Sequence, residues 1–351
     1  MSKPWLTVSK NTEGPRFIVD EAGRPVRLFG MARSQICAPW DEDIPYGGID
    51  GVCAHFKGLG CNTIRLAVSV FDQEHMETDF IEECGGYNEE GINRFIDRHV
   101  EPDLRRILAH DLYVVLDLHE YPPNDDHDDP DPALLIAYAR AHYVPIWREL
   151  AKRYRDEPGV AMYELWNEPY AADQGTIRFN EGGIIKEGRY TGYDWNGAVR
   201  RFFIDCAAEV RRFDTRHILL VSDWNAGWGC GWGLTWGGKY RHAADPLYKN
   251  LVFSVHAGGG QLREAILFGE GDNFCFDDYW AELAAENNIA LQFGEIEAEE
   301  AWDSDHLGTF VRMLEKRADT HHYPAMLWRP RGNARNRVEL WTDFAARYAT
   351  R

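Results

Sequence analysis

Eight short, almost uninterrupted apolar runs recur along this chain, and they constrain its fold more than any other feature. The first continues from Pro25-Val26-Arg27-Leu28-Phe29 into Gly30-Met31-Ala32. Then come Thr63–Ala67, Leu112–Leu118, Val160–Trp166, Ile218–Val221, Leu251–Val255, Ile289–Phe293 and Ala325–Trp328. Each is the length of a strand. None alternates cleanly between apolar and polar, so each reads as a parallel strand covered on both faces. Between them lie stretches with helical spacing. Gly91 to His110 carries Ile92, Phe95, Ile96, Val100, Leu104, Ile107 and Leu108 on one stripe. Pro132–Tyr154, Trp195–Phe213, Phe276–Glu286, Leu307–Arg317 and Asn336–Tyr348 read the same way.

Eight strands in repeated alternation with helical stretches predict an α/β chain whose parallel sheet closes on itself, a (β/α)8 TIM barrel. An open, doubly wound sheet is the alternative, but no Gly-rich phosphate turn follows Phe29. Ahead of the barrel, Phe17–Asp20 and Pro25–Phe29 predict a β-hairpin turning through residues 21–24. Long polar insertions fall after the strands, which places long loops on the C-terminal face. No Pro/Ser-rich linker or low-complexity tract interrupts the sequence, so residues 1–351 are expected to form a single catalytic domain.

Charge excludes some partners. The 57 acidic and 38 basic residues leave a net charge of −19. Such a surface repels phosphate backbones and anionic bilayers, so neither nucleic acid nor membrane is expected as a partner. The N-terminus shows no apolar signal core, and the seven scattered cysteines form no CxxC pair. A cytoplasmic, reducing location is therefore expected, unless a secretion signal has been removed. The sequence leaves the oligomeric state open.

Catalytic groups of such barrels sit at the C-terminal ends of the strands. Reading the residue at or just past each apolar run gives Arg65, His119, Asn167 with Glu168, Trp224, His256, Glu295 and Trp328. Among them are two carboxyl groups, Glu168 and Glu295, on the fourth and seventh strands. Closure of the barrel can set them face to face. Cleavage of a glycosidic bond needs such a pair, one group protonated to release the leaving oxygen and one ionised to attack carbon. A retaining enzyme holds them roughly 5 Å apart. Glu297, Glu299 and Glu300 follow Glu295, but only Glu295 stands directly behind the strand.

Asn167-Glu168-Pro169, preceded by Tyr163-Glu164-Leu165-Trp166, together with Phe293-Gly294-Glu295, resembles glycoside hydrolase family 5. The resemblance runs from Phe17 to Trp328. It implies that Glu168 is the acid/base and Glu295 the nucleophile. It further implies substrate-site roles for Arg65, His119, Asn167, His256 and Trp328, with Asn167 on the sugar 2-hydroxyl and Trp328 as a sugar platform. One position departs from the pattern: where the family has His-x-Tyr after the sixth strand, this chain has His256-Ala257-Gly258. No cofactor and no metal is required by this chemistry.

Elementary electrostatics sets the two carboxyl roles. Arg65 beside Glu295 is expected to keep it ionised. Glu168 must begin protonated, through burial and neighbouring negative charge. Glu164, four residues before Glu168, reads as a buried structural carboxylate paired with a base such as Arg65, and Asp117 reads likewise. The acidic loop at 124–129 lacks calcium-loop spacing and reads as solvated. Trp224, Trp228, Trp232 and Trp236 recur through a Gly-rich segment, either as rings over a sugar cleft or as loop packing. The insertion from Tyr170 to Tyr193 is expected to wall that cleft. The expected function is retaining hydrolysis of β-linked gluco- or manno-configured oligo- or polysaccharides, endo- or exo-acting. A transglycosylase on the same residues and a catalytically weak sugar-binding barrel are the alternatives.

Overall fold

The computed structural model describes residues 3–33, 47–70, 78–119, 132–169, 178–180, 183–185, 195–222, 250–257, 276–297, 314–316, 320–328, 343 and 346–347. Two short strands, β1 (Thr7–Val8) and β2 (Ile18–Val19), pair antiparallel at the start. The eight barrel strands are β3 (Phe29–Arg33), β4 (Thr63–Val68), β5 (Tyr113–Leu118), β6 (Val160–Glu164), β9 (Ile218–Ser222), β10 (Leu251–Ala257), β11 (Ala290–Glu297) and β12 (Ala325–Trp328). Every neighbouring pair is parallel, and β12 pairs back onto β3 to close the ring. Between β6 and β9, the strands β7 (Arg178–Asn180) and β8 (Gly183–Ile185) form a separate antiparallel pair. All eight expected strands are present, with ends shifted by a few residues.

Strand alternation splits the interior into two cores. Outward-facing Ile64, Leu66, Val114, Leu116, Leu219, Val221, Leu291 and Phe293 pack under the helices. Inward-facing Val115, Met162, Leu220, Val252, Ala290 and Met326 fill the lower barrel, and Leu6, Val8, Ile18 and Leu28 join this inner core. Higher in the barrel the inward residues turn polar: Arg65, Asp117, Glu164, Ser222, Ser254 and Gln292 are all fully or almost fully buried. An apolar floor beneath a polar tier is what a site at the upper face needs, because the floor excludes water from below.

The helices are α1 (Ile49–Gly58), α2 (Phe80–Glu83), α3 (Glu89–Phe95), α4 (Glu101–Ala109), α5 (Pro132–Tyr154), α6 (Trp195–Arg211) and α7 (Phe276–Asn287). Sequence reading missed α1, although its buried Ile49, Val52, Cys53 and Phe56 carry helical spacing. The helix expected over Gly91–His110 is divided, because a π-helical turn, Ile96–Val100, joins α3 to α4. Pro102 lies just beyond; it has no N–H to give and crowds the preceding turn. The expected hairpin reduces to one bridge, Val19 to Pro25, around the Asp20–Arg24 turn; the main partner of β2 is the unforeseen β1. Of the helix expected over 307–317, only 314–316 are described, and of 336–348 only 343 and 346–347.

Candidate active site

Arg65 is the hub around which the polar tier is built. It is fully buried on β4. Its Nε donates to Glu164 Oε2 at 2.6 Å and its Nη1 to Glu295 Oε1 at 2.7 Å. Its Nη2 donates to Asn167 Oδ1 and lies 3.0 Å from Asp117 Oδ2. One guanidinium thus fixes side chains from four of the barrel's strands and loops, a fork that a lysine's single ammonium cannot reproduce. Ser222 Oγ holds the free oxygen of Glu164 at 2.9 Å. The structural reading of Glu164 and Asp117 stands.

The segment carrying Asn167 and Glu168 is held by its backbone. Leu165 N donates to Leu220 O and Asn167 N to Leu118 O, so both neighbouring strands grip it. Trp147 on α5 donates its indole N–H to Leu165 O at 2.9 Å. On the next strand, His119 Nδ1 donates to Asp117 Oδ2 at 2.7 Å. That leaves Nε2 as an acceptor facing Asn167 Nδ2 at 3.5 Å.

Glu295 reaches the site through an irregularity. Val255 pairs with Phe293 but His256 pairs with Glu295, so Gly294 is an extra residue on β11, a β-bulge. Without it, alternation would point Glu295 outward like Phe293. With it, Glu295 turns inward onto Arg65. A Cβ on Gly294 would lie 2.2 Å from Ser254 Oγ and 3.1 Å from His256 Nε2, so only glycine fits there.

His256 stands between the two candidate carboxyl groups. Its Nδ1 lies 2.5 Å from Glu168 Oε1 and 3.5 Å from Glu295 Oε2. The three groups all have an oxygen or nitrogen within 4.8 Å of one another. They offer ligand atoms for a cation, yet the His256–Glu168 separation is that of a hydrogen bond. Two ligands of a tetrahedral zinc at its usual bond lengths stand roughly 3.4 Å apart. The side chain of Glu168 is 13% exposed and that of Glu295 10%, so both reach the surface of the site.

Burial dominates the electrostatics. It pushes Asp117 up to about 7, against the pull of Arg65, with Glu168 adding to the rise. It holds His119 and His256 down at about 4, so both rings are neutral near pH 7. Burial opposes the charge of Arg65, but Asp117, Glu164 and Glu295 outweigh it and keep the guanidinium protonated. Glu295 departs from expectation: burial, helped by Glu168, raises it above the ordinary carboxylate range despite His256 and Arg65. The sequence shows the neighbouring cation but not the depth at which the pair is buried.

Six of the eight expected site residues, Arg65, His119, Asn167, Glu168, His256 and Glu295, converge on this one place. Trp328 ends β12, opposite Ala32 of β3; its side chain, and the whole of Trp224, lie outside the described residues, as do Trp228, Trp232, Trp236 and the acidic loop at 124–129. Of the expected cleft wall at 170–193, only β7 and β8 are described. Sequence reading passed over Ser222, Ser254 and Gln292, whose only signal is an inward position on their strands.

The model of a protein family described as cellulase, glycosyl hydrolase family 5, matches residues 19–329. Over 149 residues the chain is 32% identical to a β-xylosidase of Phanerodontia chrysosporium, a match spanning 40% of this chain and 29% of that protein's length. Its fold is similar to that of a β-glucanase from Saccharophagus degradans, with a TM-score of 0.64 and 14% identity over 99% of this chain and 95% of that one. It is also similar to an endo-glycoceramidase II from Rhodococcus sp., with a TM-score of 0.60 and 15% identity over 90% of this chain and 75% of that one.

Proposed function

The chain belongs to the cellulase family, glycosyl hydrolase family 5, and is a glycoside hydrolase; from that premise we propose that it cleaves β-linked gluco- or manno-configured glycans with retention, using Glu295 as nucleophile and Glu168 as acid/base. One observation carries the reading: oxygens of Glu168 and Glu295 lie within 4.8 Å of one another, both bordering the same imidazole. Inverting enzymes separate their carboxyl groups by about 6.5–9.5 Å to admit a water, whereas retaining ones keep them about 5–5.5 Å apart.

In the first step the Glu295 carboxylate attacks the anomeric carbon. The glycosidic C–O bond breaks, and Glu168 gives its proton to the departing oxygen. The sugar is left as an ester of Glu295. Glu168, now ionised, takes a proton from water, whose oxygen displaces Glu295 and restores both groups. Arg65 has no exposed surface, so its role is to orient Glu295 and Asn167 rather than to touch sugar. Asn167, held between Arg65 and His119, is the candidate for the 2-hydroxyl. Trp224 and Trp328 are proposed as sugar platforms. The cytoplasmic location expected from the sequence is likewise a proposal.

A panel of β-linked polysaccharides and aryl β-glycosides, assayed by proton NMR of the first-formed anomer, tests the reading. A β-anomer released first, with turnover abolished in Glu295→Gln, supports it. An α-anomer released first rules out double displacement. Sugar binding without turnover on any substrate favours the binding-barrel alternative.

A further inference from the structure

Just below the catalytic pair, three buried side chains carry polar atoms with no hydrogen-bond partner among the described residues. They are Ser254 Oγ, both amide atoms of Gln292, and His256 Nε2. Ser254 and Gln292 are wholly buried and His256 is 4% exposed. They are also neighbours. Ser254 pairs with Gln292 across β10 and β11 and with Ser222 across β9 and β10, so all three lie in one inward tier. Ser222 is tied to Glu164 and, through it, to Arg65; Ser254 and Gln292 are not. Ser254 Oγ and His256 Nε2 both border the position that Gly294 leaves by having no side chain. Buried polar groups are almost always satisfied, often by an internal water making about three hydrogen bonds.

We propose that Ser254 and Gln292 are positioning residues for the acid/base: by hydrogen bonding to His256 Nε2, directly or through one internal water, they fix the tautomer that presents Nδ1–H to Glu168. This rests on the assignment of Glu168 above. The chemistry follows from a single proton. The buried ring is neutral, so only one of its nitrogens carries hydrogen. If Nδ1 carries it, Nδ1 donates to Glu168 Oε1 and the proton of Glu168 stays on its other oxygen, ready for the leaving group. If Nε2 carries it, the bare Nδ1 attracts the proton of Glu168 to itself and away from the substrate. The Ser254 hydroxyl borders the same spot as Nε2, Gln292 is its register partner on β11, both side chains can donate, and donors stabilise a bare Nε2. The other charged or titratable groups acting on the ring are Glu295, Arg65, Glu164 and His119, all on other strands.

The test is nitrogen-15 NMR of the full-length protein labelled at histidine, with His256 assigned by difference against His256→Gln. The expected wild-type result at pH 7 is a protonated Nδ1 and an unprotonated Nε2. In Ser254→Ala and Gln292→Leu the His256 signals shift toward a tautomer mixture, while Ser254→Thr keeps the wild-type pattern. The basic limb of kcat/KM, set by the acid, rises in Ser254→Ala by roughly half to one unit, because a hydrogen bond favouring ionised Glu168 is weakened. A wild-type ring protonated at Nε2 overturns the proposal, as do unchanged ring signals in both variants. Full turnover by Glu168→Gln overturns the acid/base assignment instead, and the ring nitrogens report independently of it.

Discussion

His256 and Glu295 are register partners across β10 and β11, and so are the residues just before the bulge, Val255 and Phe293. Both pairings hold only because Gly294 takes no partner. The extra residue resets the alternation of β11 and turns Glu295 from the outer core to the barrel interior. Bulges next to active sites commonly re-aim a side chain in this way. Here the glycine also keeps clear of Ser254 and His256.

Gly294→Ala therefore costs both activity and stability. Its Cβ would meet Ser254 Oγ at 2.2 Å, so the Ser254 side chain or β11 must shift; where β11 shifts, Glu295 moves with it. A displacement of Glu295 by about 1 Å is worth about 10²-fold in kcat. Overpacking of this kind costs about 1–3 kcal/mol. Steady-state kinetics and a denaturant midpoint measure the two. An unchanged kcat would show that Glu295 reaches its place without the bulge.

Arg65→Met leaves Glu164, Asp117 and Glu295 buried without their shared cation. Breaking such a network by removing one partner costs about 3–5 kcal/mol. The loss depends on pH in a defined direction. Burial already raises Asp117 and Glu295, and without the opposing pull of Arg65 both rise further above their unfolded values, so the folded state binds more protons. The variant is then most stable in acid and loses stability as pH rises through those raised values. Urea melts at pH 5 and pH 7 test this; a variant equally stable at both would contradict it.

The acid limb of kcat/KM reports the ionisation of the nucleophile. Burial raises Glu295 above the ordinary carboxylate range. Activity is therefore expected to fall as pH drops through a value higher than that of an exposed glutamate. A pH–rate profile on an aryl glycoside measures it. A limb at or below the usual glutamate value would mean that Arg65 and His256 outweigh burial after all.

Glu168→Gln removes general acid catalysis, worth about 10²–10⁴-fold. The deficit in glycosylation should shrink for leaving groups that depart without a proton, such as dinitrophenolate. Comparing alkyl and dinitrophenyl glycosides checks this. Equal losses on both would point to a role for Glu168 other than proton transfer.

Much of this site was legible in the chain. Parallel strands covered on both faces must be apolar along their whole length, so all eight showed as runs, and their upper ends marked Arg65, His119, Glu168, His256 and Glu295. Even the pairing of Glu164 with Arg65 followed from strand alternation. The sequence likewise determined that two glutamates would meet, because closure of an eight-stranded barrel leaves little freedom in how its fourth and seventh strands face each other. What only the tertiary structure decided was the orientation and the charge of what meets there. The Gly294 bulge depends on the register between two strands, which local pattern does not specify. The short β1 has too few residues to carry a pattern and exists through its partner. The rise of Glu295 sums burial, Glu168, His256 and Arg65 at once. These quantities are set by neighbours far apart along the chain, so they come into being only when the barrel closes.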